Sequence, residues 1–417
     1  MREMKNSGIK WIGEIPVDWS IFPVKRIFKN QKRIVGSDVD KYERLALTMN
    51  GVIKRSKNDS EGLQPEKFES YQILKENEIV FKLIDLENVK TSRVGLSPYT
   101  GLVSPAYIII TNEKEDNRFF YYWFMFMYYN EVFNHLGGEG VRSALNAKDV
   151  LSLPVPDISE ELMNNIAFYL DEKCTKIDTI IEKQQKIIEK LKAYKLSLIT
   201  EAVTKGLNPE VKMKDSGVEF LGEIPVMWTI MKFGKCIKIK SNLVSPEIYY
   251  DYPQIAPDNI EKNSARLLDY KTVRDSGVIS WNHLFFKGQI IYSKIRPLLN
   301  KIIIAPFDGL CSADMYPIET ENNSKFIVYM MLSNYFSAQV GLVTENRVKM
   351  PKINQNELSS ILVALPSISE QQEIADYLDK KCSAIDSAIE KKQALIEKLK
   401  EYKKSLIYEV VTGKKEI

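Results

Sequence analysis

The chain says nearly the same thing twice. Residues 4–19 (MKNSGIKWIGEIPVDW) return as residues 213–228 (MKDSGVEFLGEIPVMW). Residues 166–205 return as residues 374–413 without a gap, sharing 26 of 40 positions. Self-similarity of this kind sets the architecture before any local signal. An offset of roughly 209 residues is too long for a solenoid repeat. It implies a domain duplicated within one chain, so that whatever the chain recognises should come in two halves.

Length and composition agree. At 417 residues the chain exceeds one hydrophobic core and suits two to three domains. Hydrophobic residues make up 44% and charged residues 27%, as in ordinary globular proteins. No stretch approaches the ~20 apolar residues of a membrane span, and the aromatic run from Phe119 to Tyr129 reads as a buried helix. Four cysteines without a CxxC pair, and only two histidines, argue against a disulfide framework or a zinc site. The repeat-equivalent Cys174 and Cys382 fit small buried apolar residues in a reducing cytoplasm. His135 and His283 stand alone on aromatic segments and read as structural. The net charge of +3 is modest for a nucleic-acid binder, so polyanion contact must come from local clusters or from partner subunits.

Each copy has a short lead, a variable region, a proline-punctuated stretch (153–160, LPVPDISE; 364–370, ALPSISE) and a long helix. The segments are 1–155, 156–206, 207–365 and 366–417. Ser159 and Ser369 are the expected N-caps. A heptad seam runs through Ile177, Ile181, Gln184, Ile188, Leu191, Lys195, Leu198 and Ala202. It recurs as Ile385, Ile389, Lys392, Ile396, Leu399, Lys403, Leu406 and Val410. Each helix of about 38 residues spans roughly 55–60 Å. The obvious cover for so long a stripe is the other copy, and a pseudo-twofold relation makes the pairing antiparallel. The same symmetry predicts that residues 4–19 pack beyond the second helix near 410–417, with Trp11 close to Val410. The variable regions are mixed α/β. Strands are predicted at 78–84, 107–110, 289–295 and 301–307, and buried helices at 118–133 and 325–340.

No catalytic constellation stands out. The chain has no G-x-x-x-x-G-K-[ST] loop, no G-x-G-x-x-G after a strand and no Pro-Pro pair. Asp157 followed by Asp171-Glu172-Lys173, and Asp258 followed by Asp269-Tyr270-Lys271, match only a loose nuclease spacing that charged chains produce by chance. What remains are polar and basic clusters. In the first copy they are Asn50, Lys54, Arg55, Lys57 and Asn58; Lys82, Lys90 and Arg93; and Arg142, Ser143 and Asn146. In the second they are Lys262, Asn263 and Arg266; Lys294 and Arg296; and Arg347, Lys349, Lys352 and Asn354. Such side chains in loops can hold phosphates and read base edges. They are also common on any surface.

The lead SGIKWIGEIPVDW (7–19), its copy SGVEFLGEIPVMW (216–228), the segments P-x-I-S-E (156–160, 366–370) and the helices carrying IEKLKxYKxSLI (188–199, 396–407) resemble the specificity subunit of type I restriction-modification systems. The variable segments around ENEIVFKLIDLENVK…GLVSPAY and GQIIYSKIRP…GLCSADMY are similar to its target-recognition domains. The resemblance covers essentially the whole chain. It implies two tandem mixed α/β target-recognition domains separated by two long helices packed as an antiparallel coiled coil. It implies a non-catalytic DNA-reading subunit: each domain reads half of an asymmetric bipartite DNA site, and the helix pair sets the unread spacer. Two modification subunits would bring S-adenosylmethionine and methylate adenine. Restriction subunits would add ATP- and Mg-dependent cleavage, and no cofactor is expected on this chain. The competing readings are an enzyme with fused nuclease or methyltransferase activity, and a coiled-coil scaffold without DNA contact.

Overall fold

A computed structural model describes residues 2–49, 51–57, 68–84, 86, 93–114, 116–136, 144–345, 347 and 351–417. The chain divides into two compact units. The first holds Met1–Gln184 with Ala394–Ile417, and the second holds Gln185–Gln393. The two long helices, Glu160–Lys205 and Ile368–Val411, therefore each give one part to either unit. At 46 and 44 residues they exceed the sequence estimate, and the longer spans roughly 69 Å.

The first unit contains two four-stranded sheets. One has the order Lys29–Asn30, Ile108–Thr111, Ile79–Phe81, Val94–Leu96. The other runs Gly51–Arg55, Arg44–Thr48, Gly101–Val103, Gln72–Leu74. The second unit repeats the first of these orders strand for strand: Lys238–Ile239, Met315–Glu319, Ile290–Ser293, Ile302–Ile304. Its other sheet has five strands, Leu243–Val244, Asn282–Phe285, Gly309–Cys311, Pro253–Ile255, Lys271–Thr272. This sheet and the second sheet of the first unit keep one parallel pairing in the same place, Leu310 with Gln254 and Leu102 with Arg44. The strands fall at 79–81, 108–111, 290–293 and 302–304, inside or within a residue of the predicted runs.

The aromatic run forms the helix Arg118–Tyr129, with Phe119, Phe120, Trp123, Phe124 and Phe126 all buried. It packs edge-to-face on the sheet through Phe28–Phe120 and Phe81–Phe124, each pair with centroids 5.0 Å apart. Its counterpart is two helices, Ser324–Leu332 and Asn334–Thr344, broken at Ser333, which caps the second by accepting from the Phe336 N–H. Among the described residues no single helix is long and apolar enough to cross a membrane.

Inside each unit the long helices lie antiparallel. In the first unit Lys403 pairs with Asp178 at 2.7 Å, and further along Lys415 reaches the Tyr169 ring. In the second unit Lys195 pairs with Asp386 at 2.6 Å, and Gly206 comes beside Glu370. The two ion pairs are one contact made twice, with the helices exchanging roles. All twelve apolar seam residues, Ile177, Ile181, Ile188, Leu191, Leu198, Ala202, Ile385, Ile389, Ile396, Leu399, Leu406 and Val410, are buried or half-buried. Full burial of such a side chain contributes about 1.5–3 kcal/mol. Lys195 and Lys403, polar interruptions of the seam, supply the ion pairs.

A second twin contact ties the helices Arg118–Tyr129 and Ser324–Leu332 to this pair. Asp171 accepts from Arg118 at 2.6 Å and from the Tyr122 hydroxyl at 2.7 Å. Asp379 accepts from Lys325 at 2.5 Å and from the Tyr329 hydroxyl at 2.7 Å. Cys174 and Cys382 are free and buried, each in its own unit, and burial pushes both thiols up to about 11.

The expected cap on the second helix needs correcting. In the first helix Ser159 caps, its hydroxyl accepting from the Leu162 N–H at 3.2 Å. In the second the cap is Ser367, which accepts from the Glu370 N–H at 3.3 Å, and Ser369 lies inside the helix. Ser159 and Ser367 each stand seven residues before Ile166 and Ile374, so the caps are equivalent, and it is the P-x-I-S-E likeness, with Ser369 opposite Ser159, that is out of step by two residues.

The lead packs where the duplication places it. Ile12 offers its carbonyl to the Tyr408 hydroxyl at 3.5 Å, and the Trp11 ring packs at a tilt against Phe126, which touches Tyr408. Gly413 (φ +72°) lies so close that an added Cβ would stand 2.5 Å from Pro16 Cγ. Trp228 fills the same place beside Gly206 and donates to Glu370 at 3.1 Å.

Lys195 is nearly buried while Asp386 is half-exposed. Asp386→Ala strands the ammonium and should cost about 1–3 kcal/mol. Lys195→Met keeps the stem packing and should cost less. Urea unfolding of the full chain compares them, and equal losses would mean that the charge pairing contributes nothing.

Candidate nucleic-acid interface

In both units two connections cross at one end of the paired sheets. The first leaves the strand Ile79–Phe81 or Ile290–Ser293, and the second precedes a short capped helix. In the first unit Ile84 bridges Ala144, and the Leu145 N–H donates to the Leu83 carbonyl at 2.9 Å. In the second Ile295 bridges Lys352, and the Ile353 N–H donates to the Lys294 carbonyl at 2.9 Å. The crossing is retained although the side chains on it differ, so each unit presents its own loop chemistry from one rigid rim.

The second unit assembles most of its predicted residues there. Lys294 lies over the Tyr316 ring at 5.4 Å. Arg296 adopts a left-handed conformation (φ +44°), with its N–H donating to the Pro351 carbonyl at 2.8 Å and its side chain exposed. Lys352 pairs with Asp314 at 3.1 Å. Arg347 donates to the Lys352 carbonyl and to Glu357. Burial works against the charge on Glu357, but the Asn354 N–H and the Arg347 guanidinium outweigh it and hold its pKa below the usual range. A third loop joins the rim: the Asn263 N–H donates to the Asn300 carbonyl at 3.3 Å, and Lys301 donates to the Pro257 carbonyl at 2.7 Å. Lys262 is exposed on this loop, whereas Arg266 turns to Glu390 of the long helix at 3.1 Å. Sequence reasoning missed Lys301 and Asp314, although Asp314 lies within the GLCSADMY segment.

The first unit disperses its predicted residues. Lys54, Arg55 and Lys57 climb the hairpin away from its turn and line an open groove of about 540 Å³ with Asp40 and Glu43. Lys54 pairs with Glu43 at 2.6 Å, a hydrogen bond that raises the lysine pKa, and Lys57 donates to the Val39 carbonyl at 2.7 Å. Lys82 lies beside the crossing, its N–H bonded to the Arg93 carbonyl.

Three predicted readers have structural work. Arg93 is only 2% exposed and donates to the Ile84 carbonyl at 2.9 Å, so it shapes the crossing from beneath. Asn146 and Asn354 are equivalent N-caps, each in a capping box, with Asp149 and Glu357 respectively. The recurrence of Asn before a short helix was the available signal. Asn50, Asn58, Lys90, Arg142, Ser143 and Lys349 lie outside the described residues. Among the described residues no group of three or more His, Cys, Asp or Glu is placed to hold a metal ion, and the Asp157 pattern assembles nothing of that kind.

Comparison with known proteins bears on this arrangement. Residues 226–401 match the family described as type I restriction modification DNA specificity domain. The chain is 36% identical over 239 residues to the EcoDI type I restriction enzyme specificity subunit of Escherichia coli, covering 54% of this chain. It spans about half of that relative, 53%. It is 24% identical over 432 residues to the putative MjaX type I restriction enzyme specificity subunit of Methanocaldococcus jannaschii, covering 97% of this chain and 95% of the relative. In fold it is similar to a chain from a structure concerned with complex assembly and conformational transition of the type I R-M system. The TM-score is 0.68 at 11% identity, over 95% of this chain and 98% of that one.

Asn354→Ala should lower stability by about 1 kcal/mol, and Asn146→Ala by a similar amount. Thermal unfolding of the purified chain measures both. Unchanged melting would mean that these side chains are free for another role.

Proposed function

We propose that the chain is a specificity subunit of the type I restriction-modification kind, to which it is similar, and that it reads a bipartite DNA site, one half with each unit. The observation that carries the reading is the repeated crossing at the rim: one frame made twice, Ile84 with Ala144 and Ile295 with Lys352, bearing different polar and basic loops. A duplicated frame with altered loops suits two readers of two different half-sites. The second rim supplies Lys294, Arg296, Arg347 and Lys352, with Lys262 and Arg266 on the adjoining loop. The first supplies Lys82, with Lys54, Arg55 and Lys57 along the hairpin, while the proposed readers Asn50, Arg142, Ser143 and Lys349 lie outside the described residues. Cations and amides of this kind hold phosphates and read base edges. The helix pair sets the number of unread base pairs between the halves. The segments 1–155 and 207–365 are the two target-recognition domains, and 156–206 and 366–417 are the spacer helices.

In this reading the chain performs no chemistry. Adenine methylation, with S-adenosylmethionine, belongs to two modification subunits, and cleavage, with ATP and Mg, belongs to restriction subunits. The long helices support two identical partners. Lys183, Ile187, Lys190 and Tyr194 form an exposed stripe at spacings of four, three and four. It recurs as Lys391, Leu395, Lys398 and Tyr402, also exposed. The recognition loops diverged after duplication, yet these surface positions kept their character. A surface held constant twice suits one kind of partner bound twice.

The decisive experiment is adenine methylation sequencing in cells carrying this chain and its modification subunit, against cells lacking the chain. The expected result is one motif of two short halves around a fixed gap, lost with the chain. An active modification subunit that yields no such motif would refute the reading. Arg296→Ala should weaken DNA binding by about 1–3 kcal/mol without altering the melting temperature. Tyr194→Ala combined with Tyr402→Ala should release both modification subunits, and either change alone should release one. Intact two-subunit stoichiometry in the double variant would remove the stripe from the interface.

A further inference from the structure

The rim of the second unit carries an aromatic side chain that none of the contacts above uses. Trp281 is 61% exposed, whereas Trp19, Trp123 and Trp228 are 2% exposed or less. Its backbone is nevertheless fixed. The next residue, Asn282, is buried, pairs with Val244 across the sheet and donates back to the Ser280 carbonyl at 2.8 Å. Gln254 donates to the Asn282 amide oxygen at 3.4 Å. An exposed indole on a pinned backbone loses little freedom on making a contact, the arrangement that marks aromatic anchors at interfaces.

Topology places this indole at the rim. Trp281 immediately precedes the strand Asn282–Phe285, whose second residue, His283, sits in register with Leu243 and Cys311. Cys311, opposite His283, leads into the turn at Asp314, whose carbonyl accepts from the Lys294 N–H at 3.0 Å and whose carboxylate accepts from Lys352 at 3.1 Å. The Trp281 end of the strand therefore opens beside the loop bearing Lys294 and Arg296. Ile279, in the same approach to the strand, is almost wholly exposed as well. Apolar side chains flanked by cations suit a polyanion whose bases offer flat apolar faces: the cations take phosphates and the ring takes a base. Among the described residues the first unit has no counterpart of this indole. Its ladder pairs Leu102 with Ile73 where the second unit pairs Leu310 with Leu284. Trp281 thus corresponds to Ser70, and the adjacent Tyr71 is buried against Phe68.

We infer that Trp281 makes an apolar stacking contact with a base in the half-site that the second unit reads, an inference that rests on the DNA reading proposed above. It is a DNA-positioning contact confined to one half of the target. The test uses the full chain with its modification subunit in cells, with adenine methylation sequenced for wild type, Trp281→Ala and Trp281→Phe. Binding of the purified complexes to a duplex carrying the wild-type motif is measured alongside. Trp281→Ala should lower affinity about 10- to 100-fold and relax base preference in one half of the motif only. Trp281→Phe should restore most of both, and all three chains should melt alike. Wild-type affinity and an unchanged motif for Trp281→Ala would overturn the inference while leaving the DNA reading intact. So would loss of the modification subunit from the Trp281→Ala complex, which would make this surface a protein contact. A wild type with no bipartite motif would sink the DNA reading first, and this inference with it.

Discussion

A lysine placed in an apolar seam governs much of this structure. Lys195 and Lys403 occupy positions where a heptad would ordinarily put leucine. Each finds its carboxylate, Asp386 or Asp178, on the other long helix of its unit. Apolar residues alone tolerate several registers, because one heptad of leucines packs much like the next. A lysine facing apolar neighbours does not, since every register but one leaves an ammonium without a counter-charge. The carboxylates Asp171 and Asp379, one heptad away, then take the hydroxyl and cation of the buried helix packed against them. Register along the helices and the seating of each α/β region thus come from neighbouring aspartates on the same helix.

Divergence between the copies is confined accordingly. The first four-stranded sheet, the parallel pairing in the other sheet and the loop crossing all recur. The polar clasp recurs with Arg118 replaced by Lys325 and its tyrosine and aspartate kept. What changes is the connection after the parallel strand. It is a tight hairpin from Arg44 to Arg55 in one unit, and residues 256–270, folded back onto the rim, in the other. That connection also lines, through Ser264 and Ala265, a cavity of about 240 Å³ shared with Lys195, Val328 and Asp386. Frame and loops obey different constraints because the frame must bury apolar area, whereas the loops answer only to what they touch.

The frame was legible in the sequence because burial writes itself as periodicity. The heptad seam, the aromatic helix and the short β-branched strands were readable from residue type and spacing alone. The rim was less legible. Arg93 looks like a DNA contact by type and is a buried tie to the Ile84 carbonyl. Asn146 and Asn354 look like base readers and are helix caps. Arg266 points at Glu390 of the long helix. A charged or amide side chain carries the same letter whether it holds its own backbone or faces a ligand, and only its neighbours distinguish the two. The second helix start was missed for a related reason. Ser367 and Ser369 are equally good caps by composition, and the choice was made by the phase of the helix that follows.

That phase has a further meaning. From the first helical residue to Ile166, and again to Ile374, the chain counts the same seven positions, because Ser367 rather than Ser369 begins the second helix. Each residue turns a helix by about 100°. Two residues absorbed inside the helix would have swung everything before them some 200° away from the seam. By ending the variable region outside the cap, the chain makes the helix deaf to its length. A recognition region can be lengthened, shortened or replaced upstream of that serine, and the helix that receives it still presents the same face.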